Sequence, residues 1–145
     1  MNTMTSTQDL AGFLPHQGHM VWIDYVVEAN ETGGTCLVIV DKNKYYFGEE
    51  QVRQSSFIEW MAQGFGFSNA LKVKQGLAQG SVTNAFLVGF NNVKFGDTLP
   101  QEAEELLITT NATRSIGPIT YIEGKVQSKV SGVIYCEAQL KLFSN

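Results

Sequence analysis

The chain contains two histidines, His16 and His19, and both fall in the segment Leu14-Pro15-His16-Gln17-Gly18-His19. Imidazole exchanges a proton near neutral pH, so these rings are the natural candidates for general acid–base chemistry. A loop holding Pro15 and Gly18 can fix a ring at the edge of a strand, although two loop histidines also read as plain surface residues. The second candidate is Glu59, the sole acid between Glu50 and Asp97, set in Phe57-Ile58-Glu59-Trp60-Met61-Ala62. A carboxylate placed among apolar side chains without partners is costly or shifts its pKa, so its presence there calls for a reason. One reason is structural. Ser56 and Glu59 have the S-x-x-E spacing of a capping box, in which the glutamate satisfies a free amide at the helix start.

Other chemistries lack residues in a usable pattern. His16 and His19 with one remote carboxylate carry no metal-specific spacing. Cys36 and Cys136 sit in separate apolar stretches and read as buried free thiols. Gly64-Phe65-Gly66 does not match a phosphate-binding G-x-G-x-x-G, and no G-x-S-x-G elbow occurs.

The elements that must position these groups follow from periodicity and turn chemistry. Asp9 to Leu14 reads as a short helical turn stopping before Pro15. Met20 to Ala29 and Thr35 to Val40 read as strands joined by a tight turn at Glu31 to Gly34. From Phe57 to Leu71 the apolar residues recur at three- and four-residue spacings, the signature of a helix buried over much of its circumference. Gly64 and Gly66 weaken that helix but allow a sheet to approach closely.

After Ala85 the pattern is strands throughout. Phe86 to Val93, Leu106 to Thr113, Thr120 to Val130 and Val133 to Phe143 are separated by turns at Gly96-Asp97 and Gly117-Pro118. In the last of them Ile134, Cys136, Ala138, Leu140 and Leu142 are predicted on one face. One central helix among five to six antiparallel strands is an α+β arrangement with the helix packed on one face of the sheet.

With 145 residues, 43% hydrophobic and 17% charged, the sequence fits one globular domain over residues 1–145. Its formal charge of -4 makes it a poor nucleic-acid binder. Met1 to Asp9 lacks the features of a secretory signal, and no apolar run is long enough to span a bilayer. A cytoplasmic protein is expected.

Taken in order, several segments resemble the beta-hydroxyacyl-acyl-carrier-protein dehydratase family. Leu14-Pro15-His16 followed by Met20-Val21-Trp22-Ile23-Asp24 resembles the family's opening loop and first strand, which carry its catalytic histidine. Ile58-Glu59-Trp60-Met61-Ala62-Gln63 resembles its central-helix motif, which carries the catalytic acid. Gly96-Asp97-Thr98-Leu99 and Tyr135-Cys136-Glu137-Ala138-Gln139-Leu140 resemble a later turn and the last strand. Arg53-Gln54 stands where the fatty-acid enzymes usually have Pro-Gly, and His19 where they commonly have proline. In these features, and in Phe86-Leu87-Val88-Gly89-Phe90, the chain is closer to the dehydratase-like proteins of aryl-polyene biosynthesis clusters.

The resemblance implies a hotdog fold, an antiparallel sheet wrapped around one long helix and paired with another hotdog chain. His16 and Glu59 would be the catalytic pair, with Gln54, Ser55, Gln63 and His19 on the substrate-binding side and amides at the helix start polarising the thioester carbonyl. The substrate would be a 3-hydroxyacyl group on acyl carrier protein or coenzyme A, converted to the trans-2-enoyl thioester without cofactor or metal. The partner would be a second copy, a higher oligomer or a paralogous hotdog subunit. Lys72, Lys74 and Arg53 are the expected docking patch for an acidic carrier. Two alternatives stand beside the dehydratase: a hotdog thioesterase using Glu59 alone, and a non-catalytic acyl-binding or partner subunit.

Overall fold

The computed structural model describes residues 4–13, 20–76 and 85–144. Among them, β-branched and alternating segments form strands β1 (Thr5–Ser6), β2 (Tyr25–Ala29), β3 (Gly33–Ile39), β4 (Ala85–Phe95), β5 (Glu105–Ile116), β6 (Ile119–Ser128) and β7 (Ile134–Ser144). They make one antiparallel sheet in the order β1-β2-β3-β5-β6-β7-β4. A 3-10 turn covers Thr7–Phe13, and the apolar run after Arg53 forms helix α1 (Ser56–Lys74).

Antiparallel order puts alternate residues of each strand on one face, and here that face meets the helix. Leu106 and Ile108 of β5, Ile122 and Val126 of β6, and Leu140 and Leu142 of β7 are buried together with Trp60, Met61 and Phe67 of α1. The helix is buried at 12 of its 19 positions, as its mixed apolar spacing predicts. Gly64 sits where α1 meets the sheet: a Cβ there would lie 3.3 Å from Cγ2 of Ile108 and 3.8 Å from the Cys36 sulfur. The glycine weakens the helix and allows this approach. Between β5 and β6, Gly117 takes φ +58, a sign suited to a two-residue hairpin between the paired Ile116 and Ile119.

Two local expectations fail. Met20 to Asp24 is not strand, because its backbone bonds mostly to side chains and the N-terminal turn. The Thr7 hydroxyl donates to the Ile23 carbonyl at 2.7 Å, and the Thr7 amide donates to the Asp24 carbonyl at 3.1 Å. In β7, Ile134 does not share the inner face. Val126 pairs with Cys136 but Gln127 pairs with Ile134, so a bulge at Tyr135 turns Ile134 outward and buries Tyr135.

Both cysteines are buried and free, Cys36 on β3 and Cys136 on β7, with β5 and β6 between them. Burial pushes the Cys36 thiol up to about 12; burial, reinforced by the nearby Glu137 charge, pushes Cys136 up to about 11. Because the thiolate is the reactive form, a thiol reagent at pH 8 is expected to label the native protein slowly. Labelling should accelerate as pH rises toward 11, with Cys136 responding first, and become rapid at pH 8 once the protein is unfolded in urea. Fast native labelling at pH 8 contradicts this reading of the burial.

Candidate active site

Glu59 is the fourth residue of α1, counting from Ser56, and is partly buried. The N-cap is Ser55, in helical backbone at φ -59 and ψ -22, and its hydroxyl makes no capping bond. Ser56 is already inside the helix and donates its hydroxyl proton to the Tyr46 carbonyl at 3.2 Å. The capping box expected from S-x-x-E therefore does not form. Glu59 lies one position beyond the third helical residue that such a box uses, and the Ser56 hydroxyl is directed elsewhere.

Two of the amides at the helix start already have partners. The amides of Ser56 and Phe57 donate to the carbonyls of Arg53 and Gln54 at 3.0 and 3.2 Å, closing the turn that leads into the helix. These two amides are engaged within the protein. The positive end of the helix dipole nevertheless still lies near the partly buried Glu59.

Glu59 is held from its own helix. Gln63 lies one turn on and is buried, and its Nε2 donates to Oε1 of Glu59 at 3.1 Å. The same Nε2 donates to the Met20 carbonyl at 2.9 Å, and Gln63 Oε1 accepts the Trp22 amide at 2.8 Å. Both amide protons of Gln63, expected on the substrate-binding side, are thus taken up by protein groups. Gln54 and Ser55 are exposed at the helix entrance, about one turn before Glu59. His16 and His19 lie outside the described residues, in the segment that leads directly into Met20 and Trp22.

The surroundings explain how Trp22 and the first turns of α1 are held. Trp22 meets Tyr46 edge-on at 5.5 Å, Tyr46 meets Trp60 at 4.8 Å, and Phe57 lies 5.8 Å from Trp60 and 6.2 Å from Phe95. This aromatic chain runs from the segment before β2 to the end of β4, passing the first turns of α1. The Tyr46 hydroxyl accepts the Asp41 amide at 2.8 Å, and burial raises its pKa to about 12. Beside it, Asp24 accepts the Ile39 amide at 2.8 Å. Burial pushes the Asp24 carboxyl above its ordinary value, opposed by that amide and by Lys44. Apart from the Asp41–Tyr46 and Phe57–Trp60 pairs, these contacts were not readable from spacing, since they join residues 14 or more positions apart.

The expected carrier-docking patch does not come together. Lys72 and Lys74 are in the last turn of α1, whereas Arg53 precedes its first, a separation of roughly 28 Å along the axis. Lys72 and Lys74 donate to the carbonyls of Glu31 and Asp9 at 3.5 and 3.3 Å. Desolvation lowers the Lys72 pKa. The groove that Gln54 lines is acidic, with Glu49, Glu50, Asp97 and Glu102 around it and Lys42 as its cation.

The family model for ApeP-like proteins, described as ApeP dehydratase, matches residues 8–145. No curated protein matches the sequence. Among solved structures, the dehydratase heterocomplex ApeI:P from Xenorhabdus doucetiae is similar, with TM-score 0.80 and 19% identity over 94% of this chain and 90% of that chain. Zebra fish thioesterase superfamily member 2 aligns with TM-score 0.68 and 11% identity over 96% and 95% of the two chains. A hypothetical thioesterase with coenzyme A from Streptococcus pneumoniae TIGR4 aligns with TM-score 0.62 and 8% identity, covering 97% of each chain. At these identities the likeness establishes the hotdog fold; the match along nearly the whole sequence establishes the family. The chain belongs to the ApeP-like dehydratase family.

Proposed function

We propose that this dehydratase removes water from a 3-hydroxyacyl thioester to give the trans-2-enoyl thioester, with Glu59 as acid and His16 as base. His16 takes the C2 proton, made acidic by the neighbouring thioester carbonyl. Glu59 protonates the C3 hydroxyl so that it leaves as water. The observation that carries this reading is the Gln63 bridge. One side chain joins the buried-helix carboxylate to the backbone of Met20 and Trp22, which follows the histidine segment without a break. The positive end of α1 favours the electron-rich carbonyl of the intermediate.

By analogy with the ApeI:P heterocomplex, the partner is a paralogous hotdog subunit, and the pathway is aryl-polyene assembly on a carrier protein in the cytoplasm. No helix among the described residues is long and apolar enough to cross a membrane. Since the Gln54 groove is acidic and Lys72 and Lys74 lie at the far end of α1, an acidic carrier docks on a basic surface of the partner.

The test is loss of enoyl absorbance when the purified protein, alone and with a co-expressed hotdog partner, hydrates a trans-2-enoyl thioester. Hydration supports the dehydratase. Release of free thiol with the double bond intact makes the protein a thioesterase. Neither reaction, across alkyl and aryl substrates, leaves an acyl-binding subunit.

A further inference from the structure

The face of the sheet turned away from α1 carries a side-chain cluster that the dehydration does not use. Ile122, Leu140 and Leu142 are buried toward the helix, so Tyr121 and Lys141 stand on the outer face. Cross-strand pairing sets Arg114 of β5, Tyr121 of β6, Lys141 of β7 and Gly89 of β4 side by side in one row. The Arg114 guanidinium lies 4.4 Å from the centre of the Tyr121 ring, and the Lys141 ammonium lies 5.5 Å from it. Two cations thus share one ring, and among the described residues neither is in an ion pair. In a chain of net charge -4 this row is a local excess of positive charge.

Gly89 leaves one end of the row open. Glycine weakens a strand, and the fold does not require it here. A Cβ would meet only that of Lys141, at 4.0 Å, which is an ordinary contact. The bulge beside it does not require glycine either, since Gly89 lies outside the left-handed region. What the missing side chain provides is room. A cavity of about 370 Å³ covers the row, within the span of about 300–1,000 Å³ typical of small-molecule sites.

Two residues along each strand, roughly 7 Å away, the chemistry of the cavity changes. Glu123 and Gln139, paired across β6 and β7, line that end. The Gln139 oxygen accepts a proton from the Asn92 amide at 2.9 Å, which leaves the Gln139 nitrogen to donate. Glu123 repels an anion but accepts hydroxyl protons.

We propose that this outer-face cavity binds a small phosphate monoester with a hydroxylated body, the chemistry of a sugar phosphate. The phosphate sits between Arg114, whose guanidinium offers paired donors, and Lys141. The hydroxyl groups reach Glu123 and Gln139, and the Glu123 carboxylate disfavours the reversed orientation.

Calorimetric titration with glucose 6-phosphate tests the site, on the protein together with any partner subunit. Saturable binding of one molecule per chain is expected, weakening as salt rises. Inorganic phosphate should bind more weakly, and glucose not measurably. Arg114→Gln and Lys141→Gln should each lower the affinity about 10-fold or more, the loss of a charged hydrogen bond. Both residues are exposed, so the unfolding midpoint should stay at its wild-type value. Glu123→Gln should narrow the gap between glucose 6-phosphate and inorganic phosphate. Absence of saturable binding overturns the proposal, as does wild-type affinity in the Arg114→Gln, Lys141→Gln double variant. Equal affinity for glucose 6-phosphate and inorganic phosphate also overturns it, reducing the row to an unselective cationic surface.

Discussion

Glu59→Gln is expected to reduce enoyl-thioester hydration by about 10²- to 10⁴-fold, the usual contribution of a single general acid–base group. The substitution is nearly isosteric and retains an oxygen that can accept the Gln63 amide proton, so the bridge to Met20 and Trp22 survives. The unfolding midpoint in urea should therefore shift little. That combination separates chemistry from folding: a large loss of rate with wild-type stability places Glu59 in the reaction. His16→Ala should produce a loss of the same order. The double variant should be scarcely worse than either single one, because groups acting in one proton-transfer sequence are not additive. A Glu59→Gln protein within about threefold of wild type removes the carboxylate from the mechanism.

Trp60→Ala is expected to have the largest effect on stability, a loss of about 3–5 kcal/mol for deleting a fully buried tryptophan. Trp60 is 0% exposed and packs against both Tyr46 and Phe57, at 4.8 and 5.8 Å. Its truncation opens a cavity between the first turns of α1 and the segment that carries Tyr46. The indole adds a second, opposing effect. Its buried Nε1–H has no hydrogen-bond partner among the described residues, which costs about 1–3 kcal/mol. Trp60→Phe removes that donor while keeping an aromatic ring, so it should lose less than half as much as Trp60→Ala. Urea titrations of the three proteins decide the matter. Equal losses for the two variants mean that indole volume, and not the stranded donor, controls this site.

How far the sequence carried these conclusions depended on whether the determining contact was local. The alternation in most of β7 and the spacing in α1 are local properties, and the structure follows them. The Glu59–Gln63 contact is local too, an i, i+4 pair on one helix face. What Gln63 does on its other side was not legible, since Trp22 and Met20 are 41 and 43 residues distant. The same long-range bonds explain why Met20 to Asp24 fails to be strand despite its strand-like composition. The outward turn of Ile134 depends on one extra residue in β7 relative to β6, which alternation alone cannot reveal. The false capping box is a third case: the local pattern was present, but Tyr46 competed for the Ser56 hydroxyl.

The extent to which α1 is enclosed also governs how readily the protein can change under selection. With 12 of 19 positions buried against the sheet and the aromatic chain, most substitutions along the helix alter packing before they alter chemistry. Sequence drift on the helix is therefore confined to a minority of sites. Altered acyl preference is more accessible to evolution, or to a directed library, through the exposed residues 49–51 and 53–55 that lead into α1. A saturation library spanning both regions should return folded, active variants mostly from the lead-in.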